Sequence, residues 1–130
     1  MRRQYHFRQV GDDTCIWDVH RLVELTQNFI VKKVALNDIQ ELNEAYWFTD
    51  EYPTTQQIIE HIQLIQDADL NYPIILCAQG RVMDGMHRVA KASLLKHSDI
   101  LAVQFEQTPD PDFMNIDEEE LDYTDIYNPK

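Results

Sequence analysis

Between Tyr72 and His97 the chain reads YPIILCAQGRVMDGMHRVAKASLLKH, and the spacing of its apolar residues changes part-way. Pro73 introduces an unbroken apolar run, Ile74 to Ala78, which Gln79-Gly80 interrupts before Arg81-Val82-Met83 resumes it. Two short β-rich runs around a glycine-containing turn predict a hairpin, with Gly80 taking the positive φ that such a turn needs. From Val89 onward, Val89, Ala90, Ala92, Leu94 and Leu95 recur at helical spacing, so strand must give way to helix at Asp84-Gly85. That succession predicts an α/β (α+β) fold: a small mixed β-sheet with helices packed on it.

The junction itself is the best candidate site. Asp84 is positioned to cap the helix, and Gly85 lets another group approach the backbone closely. Met86, His87 and Arg88 then occupy an open helix N-terminus, where unpaired N–H groups and the helix dipole favour an anion. Arg88 offers a planar fork suited to phosphate or carboxylate, and His87 can donate a hydrogen bond or carry a proton near neutral pH. The competing reading is structural: Arg88 pairs with a carboxylate such as Glu41 or Asp50, and His87 is simply buried. No Walker-type phosphate loop is present.

Upstream, Tyr5, Phe7 and Val10 suggest a short edge strand or an ordered arm. Residues 14–27 place Ile16, Val19, Leu22 and Val23 on one helical face, with Asp12, Asp13 or Thr14 as N-cap. Phe29 to Leu36 is rich in β-branched residues and reads as a strand, followed by a helical turn over Asn37 to Leu42. The stretch Asn43 to Pro53 has no periodicity but holds Tyr46, Trp47, Phe48 and Tyr52 among Glu44, Asp50 and Glu51. Its rings either cover a sheet edge, with the acids facing solvent, or form a pocket wall in which Trp47 or Tyr46 stacks on a planar ring and Asp50 or Glu51 acts as base or metal ligand. Thr54-Thr55 can cap a helix over Gln56 to Asp67 with Ile58, Ile59, Ile62 and Ile65 facing inward and His61 beside them, a boundary histidine. Ile100 to Phe105 reads as a last strand.

Charge divides the chain. Of 23 acids, nine fall in residues 106–130 against one base, Lys130; the remainder carries 14 acids and 10 bases. An expected domain over 1–108 therefore precedes an acidic C-terminal tail, 109–130, whose Leu121, Tyr123, Ile126 and Tyr127 suit docking. A net charge of −12 with no basic cluster beyond Arg2-Arg3 and a loose set of Arg81, Arg88, Lys91 and Lys96 opposes binding to a nucleic-acid backbone. It suits a basic protein partner. Cys15 and Cys77 form no C-x-x-C pair, no apolar segment of signal-peptide type follows Met1-Arg2-Arg3, and no run approaches membrane-spanning length. A reduced, cytoplasmic protein without a membrane partner is expected.

The strand–turn–strand–helix order with DGMHRVAKASLL resembles the core of the ParB/sulfiredoxin superfamily, whose members carry a Gly-(x)-His-Arg or Gly-x-Arg-Arg signature at this junction. The opening strand around Ile30 to Ile39 and the closing strand Ile100 to Phe105 are similar too, so the likeness covers about residues 29–106. It implies a nucleotide of ATP or CTP type with Mg²⁺, its phosphates surrounded by Asp84, Gly85, Met86, His87 and Arg88; the Trp47 of the aromatic loop would then be the ring that stacks on the ligand. It also implies phosphotransfer or nucleotide hydrolysis, with His87 and Arg88 as the catalytic charge-stabilising groups and a base among Glu41, Glu44, Asp50 and Glu51; no metal-ligating residues are assigned. Sulfiredoxin chemistry needs a cysteine where this chain has Met86, which argues against that activity. Two alternatives remain: a non-catalytic ParB-like module associated with nucleic acid, and an acidic protein-interaction module acting through its tail.

Overall fold

A computed structural model describes residues 3–123; Ile126 and Tyr127, expected to help dock the tail, lie outside the described residues. Strands β1 (Tyr5–Val10) and β2 (Asp13–Asp18) form an antiparallel hairpin, and helix α1 (Val19–Leu25) follows directly. Next come β3 (Lys32–Ala35) and two 3-10 turns, Leu36–Asp38 and Gln40–Asn43, then helix α2 (Thr55–Asp67). The hairpin β4 (Ile74–Leu76) and β5 (Val82–Asp84) leads into α3 (Met86–Leu94), then β6 (Asp99–Gln104), and the short β7 (Phe113–Met114) pairs with β2.

Two sheets result. The first has the order β1-β2-β7 and the second β3-β6-β4-β5. In the second, β6 runs parallel to β4 and antiparallel to β3, and β4 is antiparallel to β5, so the expected mixed sheet is present. Its two faces follow from strand alternation. Ile74, Leu76, Val82 and Ala102 turn toward Met86, Val89 and Ala92 of α3 and toward Leu36 of the first 3-10 turn and Ile39 between the two turns. Ile75, Cys77, Met83 and Val103 turn the other way, toward Cys15, Trp17 and Leu22 of the first sheet and α1. The middle of the sheet, β4 and β6, is thus covered on both sides, which is why residues 74–76 and 100–103 read as continuous apolar runs, whereas edge strand β3 keeps Lys32 and Lys33 exposed.

Three expectations are corrected. The helix foreseen over 14–27 is a strand and a short helix, because the Gly11-Asp12 turn folds Thr14 to Trp17 back on β1; Gly11 takes φ 61°. The N-cap is Asp18, whose carboxylate accepts from the His20 N–H at 2.9 Å. The strand foreseen over 29–36 is shorter, Lys32–Ala35, since only those residues find partners on β6. Helix α2 begins as foreseen, with a Thr54–Gln57 capping box, but none of its residues is buried. Ile58, Ile59 and Ile62 remain 44–51% exposed.

The acidic segment is pinned to the first sheet. Trp17 Nε1 donates to the Pro109 carbonyl, Arg21 pairs with Asp112 at 2.9 Å, and Leu121 is buried. Tyr5 donates to the Asp122 carbonyl at 2.6 Å. No helix of the described residues is long and apolar enough to cross a membrane.

Candidate functional site

At the strand-to-helix junction the N-cap of α3 is Gly85, not Asp84. Gly85 has φ 106° and ψ 23°, and no side chain of the described residues caps the helix start. Asp84 is diverted because its carboxylate accepts from Arg88 Nη2 at 2.9 Å, an i,i+4 pair. The Arg88 Nη1 donates to the carbonyls of Tyr72 and Pro73 at 2.9 and 2.7 Å. The guanidinium therefore locks the approach to β4 onto the start of α3, and its charge is answered locally. The expected alternative partners Glu41 and Asp50 are not the ones it takes.

His87 and His61 meet across α3 and α2. His61 Nδ1 lies 2.8 Å from His87 Nε2. The Trp47 indole stacks on both imidazoles, with centroids 4.5 Å from His61 and 4.6 Å from His87, and Phe48 stands edge-on to His61. Burial, reinforced by His61, pushes the His87 imidazole down to about 4, and burial also lowers His61. Both rings are uncharged at neutral pH. His87 therefore offers a hydrogen-bonding, proton-accepting nitrogen rather than a positive charge.

Next to this junction opens a cleft of about 840 Å³. Val23, Phe29, Val31, Leu64, Ile75 and Val103 give it apolar walls, while Asp67, Asp69, Asp84, His87 and Arg88 supply polar groups. Gly85 also lines it, but Met86 is a buried member of the core beneath α3. Trp47 faces the histidine pair rather than the cleft lining.

The carboxylates proposed as bases lie elsewhere. Glu41 is 2% exposed; its Oε2 accepts from the Val82 N–H at 2.6 Å and faces Arg81 Nε at 3.4 Å, which ties the second 3-10 turn to β5. Glu44 is exposed and paired with Arg81 at 2.6 Å, and that hydrogen bond holds its carboxyl below the usual range. Asp50 and Glu51 are exposed on the loop before α2, and neither lines the cleft. Burial, with Glu41 and Asp84 nearby, pushes the Tyr46 phenol up to about 12. A structural duty for Glu41 predicts that Glu41→Gln lowers stability by roughly 1–2 kcal/mol in urea denaturation, since the Arg81 contact weakens and a buried amide lacks a partner. An unchanged midpoint would remove that duty.

The sequence marks His61 only as a boundary residue, whereas the structure pairs it with His87. The only signal was its place beside the apolar positions of α2. Asp67 and Asp69 were missed as well, because nothing local marks the end of α2 as a cleft wall. Compared with known proteins, the chain matches no family model, no curated protein and no solved structure.

Proposed function

We propose that the chain binds a small phosphorylated ligand, in the first instance a nucleotide, in the cleft beside Asp84–Arg88. The observation that supports this reading is the coincidence of an uncapped helix start, approached through a left-handed glycine, with a cleft large enough for a nucleoside and its phosphates. The first-turn amides of α3 are the donors for phosphate oxygens. Arg88 joins them by exchanging Asp84 for the phosphate, and the apolar walls take the base.

A nucleotide would carry its Mg²⁺ on its own phosphates, since no three His, Cys, Asp or Glu side chains of the described residues gather to hold a metal. The ion would neutralise phosphate charge that Asp67 and Asp69 would otherwise repel. His87, neutral and on the cleft, is the residue suited to accept a proton from an attacking hydroxyl or water. Phosphotransfer or hydrolysis is the reaction class this arrangement serves.

One observation favours a second reading. Asp67, Asp69 and Asp84 line the cleft against the single guanidinium of Arg88, a balance that suits an amine on an apolar body.

A thermal-shift screen against ATP, CTP, GTP, inorganic phosphate, serine, putrescine and agmatine, with and without Mg²⁺, decides between them. A ligand at about 100 times its Kd adds roughly 2.7 kcal/mol of stability. A nucleotide shift that Arg88→Lys and His87→Asn both weaken supports the first reading. A shift by the diamines alone replaces it, and no shift by any compound removes the cleft as a site for these classes.

A further inference from the structure

The two imidazoles described above lie end to end. Their ring centroids are 5.0 Å apart, their planes differ by 22°, and the facing nitrogens are separated by 2.8 Å. The nitrogens therefore point at each other across a single hydrogen bond instead of converging on a common point to one side, as ligands of one metal ion would. The indole of Trp47 lies nearly parallel to both rings, at 28° to His61 and 14° to His87, and keeps them aligned.

Two neutral imidazoles carry two ring protons between them. One occupies the shared bond, so only one of the outward nitrogens, His87 Nδ1 or His61 Nε2, holds the other. When His87 Nε2 donates, His87 Nδ1 is a bare acceptor and His61 Nε2 carries its proton. When His61 Nδ1 donates, the assignment reverses. Gain of a proton at one outward nitrogen, passage along the shared bond and loss at the other leaves the pair neutral and its atoms in balance.

We propose that His61 and His87 act as one proton-sharing unit, in which His87 exchanges a proton with the ligand in the cleft and His61 exchanges the balancing proton with solvent. The proposal rests on the reading of the cleft given above and adds His61 as the positioning and relay residue for His87. His87 lines the cleft, whereas His61 sits on surface helix α2 and is only partly covered, so the two ends of the pair face different surroundings.

Among the described residues the charged groups nearby are few. On α2, Glu60 precedes His61 and acts to raise its affinity for protons. At the junction, Asp84 and Arg88 answer each other. On α3, Lys91 is committed to the carbonyls of Gln66 and Ala68, which holds α2 against α3. The contacting loop residues Trp47 and Phe48 add no charge.

The test uses the full chain labelled with ¹⁵N at histidine, with imidazole resonances followed from pH 8 to pH 4. Proton sharing predicts that both rings respond to the first proton taken up, as members of one coupled system. His61→Gln keeps a hydrogen-bonding side chain but cannot relay. In that variant His87 should titrate as a single group, with its midpoint moved upward and one tautomer fixed. If His61→Gln does not fold, His87→Gln reads the same effect from His61.

Independent titration of the two rings, with the remaining ring unchanged in either variant, would overturn the proposal. This readout needs no ligand, so it stands or falls separately from the phosphate-ligand reading that the thermal-shift screen decides. Adding ATP with Mg²⁺ to the labelled protein completes it: a response at His87 that propagates to His61 supports exchange at the cleft, and a response confined to His87 overturns the relay.

Discussion

Gly85→Ala should destabilise the fold by roughly 3 kcal/mol or more, the largest effect expected of a methyl added at any of the three glycines. Two terms combine. The backbone at Gly85 holds φ 106°, a region that an L side chain enters only with strain. A Cβ there would also lie 2.7 Å from Ile74 Cγ2, 3.0 Å from Ile74 Cβ and 3.0 Å from Arg88 Nη2. The guanidinium can retreat, but Ile74 is fully buried and its neighbour Ile75 is paired with both Asp84 and Val103, so the sheet must shift instead. Gly11→Ala is the internal control. Gly11 has φ 61° and nothing among the described residues within 4 Å of an added Cβ, so it bears conformational strain alone, about 1 kcal/mol. Equal losses in guanidinium denaturation for the two variants would refute the close-packing argument and reduce Gly85 to a turn residue.

That glycine explains why the junction was legible while its chemistry was not. Two β-rich runs, an intervening Gly80 and a change of period fix strand, turn, strand and helix locally, and the structure has all four. The capping of α3 was misread because Asp84 has two uses within reach, the helix amides and Arg88 at i+4, and the ion pair takes it. Residues 14–27 were ambiguous for a related reason. Ile16, Val19, Leu22 and Val23 satisfy a helical face, yet Thr14 to Trp17 also satisfy a strand, and only the turn at Gly11 decides. The apolar face of α2 was legible as a face but not as a surface one, since that depends on what the rest of the chain leaves uncovered. The histidine pair joins residues 26 positions apart and had no local signature at all.

Acidification should remove about 3 kcal/mol or more of stability, and the cause is buried imidazole rather than lost ion pairs. His6 is buried against Trp17, with Arg8 adding repulsion, and its imidazole is pushed down to about 4. Its Nε2 has no hydrogen-bond partner among the described residues. Above the unfolded value near 6.5 neither state binds the proton, and His6 contributes no pH dependence. As pH falls below that value the unfolded chain gains a proton that the native state refuses until about pH 4, so stability declines across the whole interval. The loss amounts to about 3 kcal/mol for His6. His87 follows the same sign over the same window, but it is only partly covered, and solvent screening reduces its share to roughly 1 kcal/mol. Urea unfolding at pH 7 and at pH 4.5 measures the combined slope, and His6→Phe, which fills the site without a titrating group, should abolish most of it. A slope that survives in His6→Phe would move the acid sensitivity from the first sheet to the His61–His87 contact, where His87→Gln would then have to remove it.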